Sequence, residues 1–87
     1  MAPINIKQFT WVPESKTLVT EASYFTLPNL QTMVTEGFEV MNFDTGNKRT
    51  FTYVDTDHDG CRAHDGEEVH GWNFKSPDGI KVLIIND

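Results

Sequence analysis

The chain has little cysteine, little positive charge and no long apolar run, and each shortage closes off a class of protein. Cys61 is the only cysteine, so no disulfide can form within the chain. Small secreted domains are commonly stapled by paired cysteines, which makes a reducing, cytoplasmic location the expected one. Met1-Ala2-Pro3-Ile4-Asn5-Ile6-Lys7 lacks the basic-then-apolar layout of a secretion leader, so none is expected. The longest aliphatic run, Val82-Leu83-Ile84-Ile85, is far short of the ~20 residues that cross a bilayer, and no membrane partner is expected.

Seven Lys and Arg stand against thirteen Asp and Glu, a net charge of −6. Lys48 and Arg49 are the only adjacent bases. Phosphate neutralisation supplies much of the affinity for nucleic acid, so no nucleic-acid partner is expected either. There is no glycine-rich phosphate loop, no G-x-S-x-G elbow, no internal repeat and no low-complexity linker. A length of 87 residues excludes two full domains, a Rossmann pair, an eight-fold βα barrel and a protein kinase, and leaves one small domain spanning residues 1–87.

What the chain does have is rings and threonines. Phe9, Trp11, Tyr24, Phe25, Phe38, Phe43, Phe51, Tyr53, Trp72 and Phe74 supply large apolar surfaces to a core that must be small at this length. Ten threonines and many β-branched residues favour strands. The fold expected is mainly β: a small antiparallel sheet, sandwich or partly open barrel of five to seven strands built from hairpins, with room for one short helix.

Two hairpins are legible. Ser76-Pro77-Asp78-Gly79 reads as a tight turn that sets Trp72 opposite Leu83 and His70 opposite Ile85. The strand after it, Ile80–Ile85, is apolar on both faces, which marks it as central, or as a surface for self-association into a homo-oligomer. Phe38–Phe43 and Arg49–Val54 flank Asp44–Lys48, and a tip at Thr45-Gly46 sets Val40 against Phe51 and Phe38 against Tyr53. Phe9–Val12 and Thr17–Thr20 suit a third pair. Residues 18–26 fit strand or helix equally. Pro28–Gly37 suits a short helix, with Pro28 in its first turn and Gly37 as its cap. Phe51 and Tyr53 are assigned to the core rather than to base stacking.

Chemistry concentrates in one stretch. Residues 55–68 carry six acids (Asp55, Asp57, Asp59, Asp65, Glu67 and Glu68) against one base, Arg62. All three histidines and the cysteine fall between residues 58 and 70. The plainest reading is a solvated acidic connector between two strands, and those six acids are the candidate surface for a basic protein partner. In it His58 and His64, ringed by carboxylates, are expected to titrate above free histidine.

A divalent-metal site is the alternative, with Asp55, Asp57, Asp59, His58, Cys61 and His64 as candidate ligands. Asp55-Thr56-Asp57-His58-Asp59-Gly60 matches the opening of a calcium loop, D-x-D-x-D-G. The match stops there: Gly66 takes the twelfth position, where such a loop needs a bidentate glutamate, and Arg62 takes the eighth. His58, Cys61, His64 and His70 offer nitrogen and sulfur donors to zinc, although not at a standard zinc spacing.

An enzyme ranks third. Clustered acids raise a thiol pKa and suppress the thiolate that a Cys61 nucleophile would need. Glu67 and Glu68 are adjacent and diverge in an extended segment. A catalytic site would have to be assembled from distant residues, and none is assigned. The expected function is therefore a small non-enzymatic binding module.

Overall fold

The computed structural model describes residues 2–58 and 69–86. Their seven strands are β1 (Ile4–Asn5), β2 (Thr10–Val12), β3 (Thr17–Glu21), β4 (Phe38–Met41), β5 (Lys48–His58), β6 (Val69–Lys75) and β7 (Lys81–Ile85). One helix, α1 (Leu27–Glu36), links β3 to β4. The strands form a single sheet in the order β1-β4-β5-β6-β7-β3-β2, curled into a half-barrel. The mainly β expectation holds, with one refinement: the sheet is mixed. β1 runs parallel to β4, and β3 runs parallel to β7.

The mixing has a physical origin. β7 is apolar on both faces and needs a neighbour on each edge. β6 covers one edge through the hairpin, and β3 covers the other, with Leu18 against Val82 and Thr20 against Ile84. The sheet's outer strands, β1 and β2, are joined only through the short helical turn Ile6–Gln8, which draws the two edges toward each other. The Thr20 hydroxyl donates to the Gln8 carbonyl at 3.2 Å and ties this connection to β3.

α1 follows its local signals. The Thr26 hydroxyl accepts from the Asn29 N–H at 3.3 Å as N-cap, and Pro28 occupies the first turn. Gly37 ends the helix at φ +80°, its N–H donating to the Met33 carbonyl at 3.0 Å. Thr32 and Thr35, poor helix formers, donate their hydroxyls to the carbonyls of Pro28 and Gln31 one turn back. Leu30 and Met33, three residues apart, pack into the core on the inner face of the sheet.

That core centres on aromatic rings. Phe38 stacks on Phe51 at 5.6 Å between centroids and meets Phe74 edge-on at 4.9 Å. Met33, Phe51, Val82 and Ile84 are wholly buried. Phe51 and the half-buried Tyr53 are thus core residues, as their alternation with Thr50 and Thr52 implies.

Both predicted hairpins form, in different registers. In β6–β7, Trp72 faces Ile84 and Phe74 faces Val82, one residue away from the expected pairing. The turn holds three residues: the Ser76 N–H donates to the Ile80 carbonyl at 2.8 Å, and Gly79 takes φ +93°. The slip brings Val82 and Ile84, rather than Leu83 and Ile85, to the buried side. His70 is exposed and faces Asn86 rather than Ile85, its carbonyl accepting from the Asn86 N–H at 2.8 Å.

In β4–β5 the shift is two residues, with Phe38 against Phe51 and Val40 against Arg49. Asn42 causes it. Its side-chain carbonyl accepts from the N–H groups of Asp44 and Thr45 at 3.0 and 3.3 Å, so the loop starts before Phe43. A two-residue shift preserves which face each side chain occupies. Phe43 leaves the strand and is exposed.

Candidate functional site

β5 is longer than its sequence suggests. Asp55, Thr56, Asp57 and His58 continue the strand, and in register Asp55 meets Asn73, Thr56 meets Trp72, Asp57 meets Gly71 and His58 meets Val69. The acidic stretch therefore begins as paired strand rather than as loop. A bulge between Tyr53 and Asp55 makes this extension workable. It turns Thr56 to the inner side, where its hydroxyl bonds to that of Tyr53, and leaves Asp55 on the outer face.

Asp55 is exposed, and its carboxylate accepts from the Asn73 side-chain amide at 3.0 Å. Of the other candidate ligand and partner residues, Asp57 and His58 are placed here by backbone register alone. Asp59, Cys61, His64, Asp65, Glu67 and Glu68 lie outside the described residues. Among the described residues no group of three His, Cys, Asp or Glu side chains converges.

Positive charge is spread along the rest of the sheet. Lys48 begins β5 at the end away from Asp55, whereas Lys75 at the end of β6 and Lys81 at the start of β7 line one cleft with Asp55. The Lys81 N–H donates to the Lys16 carbonyl at 3.0 Å. Two ion pairs among the described residues stand at the Lys48 end. Lys7 meets Asp44 at 3.3 Å, and Arg49 meets Asp78 at 2.9 Å. The eleven residues of β5 place about 30 Å between its two ends.

A second feature escaped the sequence reading. Arg49 faces Val40 across β4–β5, so it shares the inner side with Phe51. It stands at the mouth of the half-barrel, where two clefts meet at Ile6, Leu18 and Arg49. One, of about 370 Å³, is completed by Asn42, Asn47 and Lys48 above Val40 and Phe51. The other, of about 350 Å³, is completed by Phe9, Trp11 and Ile80. Trp11 lines it while remaining 46% exposed. The signal was present as the alternation Arg49, Phe51, Tyr53, which puts a guanidinium in line with two core rings.

Asp78 positions this arginine. The Ser76 hydroxyl donates to one carboxylate oxygen and the Arg49 Nε–H to the other. The serine bond first, and the guanidinium second, hold the Asp78 pKa below its ordinary value of 3.8.

No family model, curated protein or solved structure matches the chain. Among the described residues no helix is long and apolar enough to cross a membrane.

Proposed function

We propose that the chain is a non-enzymatic binding module whose acidic stretch, residues 55–68, docks on a basic protein surface. Charge concentration carries this reading. Six acids and one base occupy that stretch, against seven acids and six bases in the rest of the chain. Two of those other acids, Asp44 and Asp78, are held in ion pairs with Lys7 and Arg49. A concentrated run of acid projects a field suited to steering and orienting a cationic partner. Self-association through Ile80–Ile85 is a lesser proposal. It would use the outer face of Leu83 and Ile85, because both edges of β7 are already paired within the chain.

The test is an NMR titration of the isotope-labelled chain with a lysine-rich peptide. Shifts confined to Asp55–His58, to residues 59–68 and to the start of β6 support the reading. Shifts spread evenly over the surface contradict it. A parallel thermal melt with calcium, zinc or chelator addresses the metal alternative at Asp55, Asp57, Asp59, His58, Cys61 and His64. A ligand that binds only the folded chain raises its melting temperature.

A further inference from the structure

We propose that the mouth of the half-barrel binds a small aromatic carboxylic acid, its carboxylate on Arg49 and its ring in the lobe of Phe9, Trp11 and Ile80. The position of Arg49 is the starting point. Its neighbours in the cleft, Ile6, Leu18 and Ile80, are apolar, yet it lies on the inner side of β5. A snorkelling arginine would cover such a floor with its stem and leave its head loose in water. Here the head, although exposed, is directed: Nε donates to Asp78, and Asp78 itself accepts from the Ser76 hydroxyl. Among the described residues Asp78 is the only hydrogen-bond partner of this guanidinium. With Nε occupied, the two terminal nitrogens keep the planar fork that matches a carboxylate.

Charge decides the kind of anion. Asp78 already balances part of the arginine, and the whole chain carries −6. That setting suits a singly charged carboxylate better than a phosphate of charge about −1.5 to −2. Shape decides the remainder. The lobe beside Arg49 measures about 350 Å³ and presents the half-buried Phe9 and the half-exposed Trp11. It falls at the small end of the ~300–1,000 Å³ range of ligand sites, and its two rings favour a flat ring over a long flexible chain. On the other side of Arg49, Asn42, Asn47 and Lys48 supply the polar wall toward which the carboxylate faces. The site stands at the opposite end of β5 from the acidic stretch, so it does not depend on the partner-docking proposal.

The experiment is an NMR titration of the full chain with 2-naphthoate, and with 2-naphthamide as its neutral counterpart. Saturable shifts of the Trp11 indole and the Arg49 side chain are expected for the acid. Binding should weaken about tenfold or more for the amide and for Arg49→Gln, the loss of one charged hydrogen-bonding group. Lys75→Gln should leave it unchanged. Trp11→Ala, on an edge strand, should weaken binding while the chain still melts cooperatively, and it decides the matter if Arg49→Gln does not fold. The proposal is overturned if naphthoate gives no saturable shift, if acid and amide bind equally, or if the shifts centre instead on the separate cleft that Leu27 and Val34 of α1 form with Trp72.

Discussion

The Arg49 Nε–H donates to the Asp78 carboxylate at 2.9 Å, and this bond ties the start of β5 to the turn between β6 and β7. The same carboxylate accepts the Ser76 hydroxyl. Both bonds favour the ionised acid, and the serine bond is the larger influence. A carboxyl-detected NMR titration should place the Asp78 midpoint below 3.8. A pKa depressed in the folded state gives stability that is complete above the unfolded value and is lost as pH falls through the folded one. Asp78 therefore affects stability only in strong acid and contributes no pH dependence near neutrality. Ser76→Ala and Arg49→Gln should each raise the midpoint, because each removes a group that favours the ionised acid. An unmoved midpoint in either variant would show that its partner does not hold the carboxylate.

Gly37 can be replaced only at a cost. Its φ of +80° disfavours any residue with a Cβ, and a Cβ there would stand 2.7 Å from the Phe51 carbonyl oxygen. Gly37→Ala should destabilise the chain by about 1–3 kcal/mol. The check is a lower urea midpoint with an unchanged slope.

Gly71 is constrained by proximity rather than by φ. A Cβ at this position would meet the Ile84 carbonyl oxygen at 2.6 Å and Leu83 Cδ1 at 3.0 Å. Backbone cannot yield as a flexible side chain can, so Gly71→Ala must part β6 from β7. Faster amide hydrogen exchange confined to these two strands is the expected result. Uniform protection would show that the strands accommodate the methyl group.

Phe51 is the most exacting core position, wholly buried and stacked on Phe38. Phe51→Ala should cost about 3–5 kcal/mol, a large share of the ~5–15 kcal/mol typical of a folded domain. A calorimetric melt should show a much lower transition temperature, or no cooperative transition at all. A change of a few degrees would mean that the core closes over the missing ring.

Much of this architecture can be read from local chemistry. Pro28 and Gly37 bound the helix because one suits a first turn and the other a left-handed exit. The doubly apolar Val82-Leu83-Ile84-Ile85 announces a strand with neighbours on both edges. Two relationships are not local. The parallel pairing of β3 with β7 joins residues about sixty positions apart, and no turn signal records it. Hairpin register depends on which residue closes the loop, a decision made by the Asn42 side chain in one hairpin and by Gly79 in the other. The candidate sites divide in the same way. The acidic stretch is visible as composition, whereas the Arg49 cleft exists only once β1 and β2 approach each other.

Docking through residues 55–68 is electrostatic, and its response to salt is the sharpest readout. A labelled oligolysine peptide is titrated by fluorescence anisotropy against the native chain and against the Asp55→Asn, Asp57→Asn, Asp59→Asn variant, at a series of ionic strengths. The native chain should bind with an affinity that falls steeply as salt rises, and the variant should bind weakly with a shallower dependence. Equal affinity and equal salt dependence for the two chains would contradict the account.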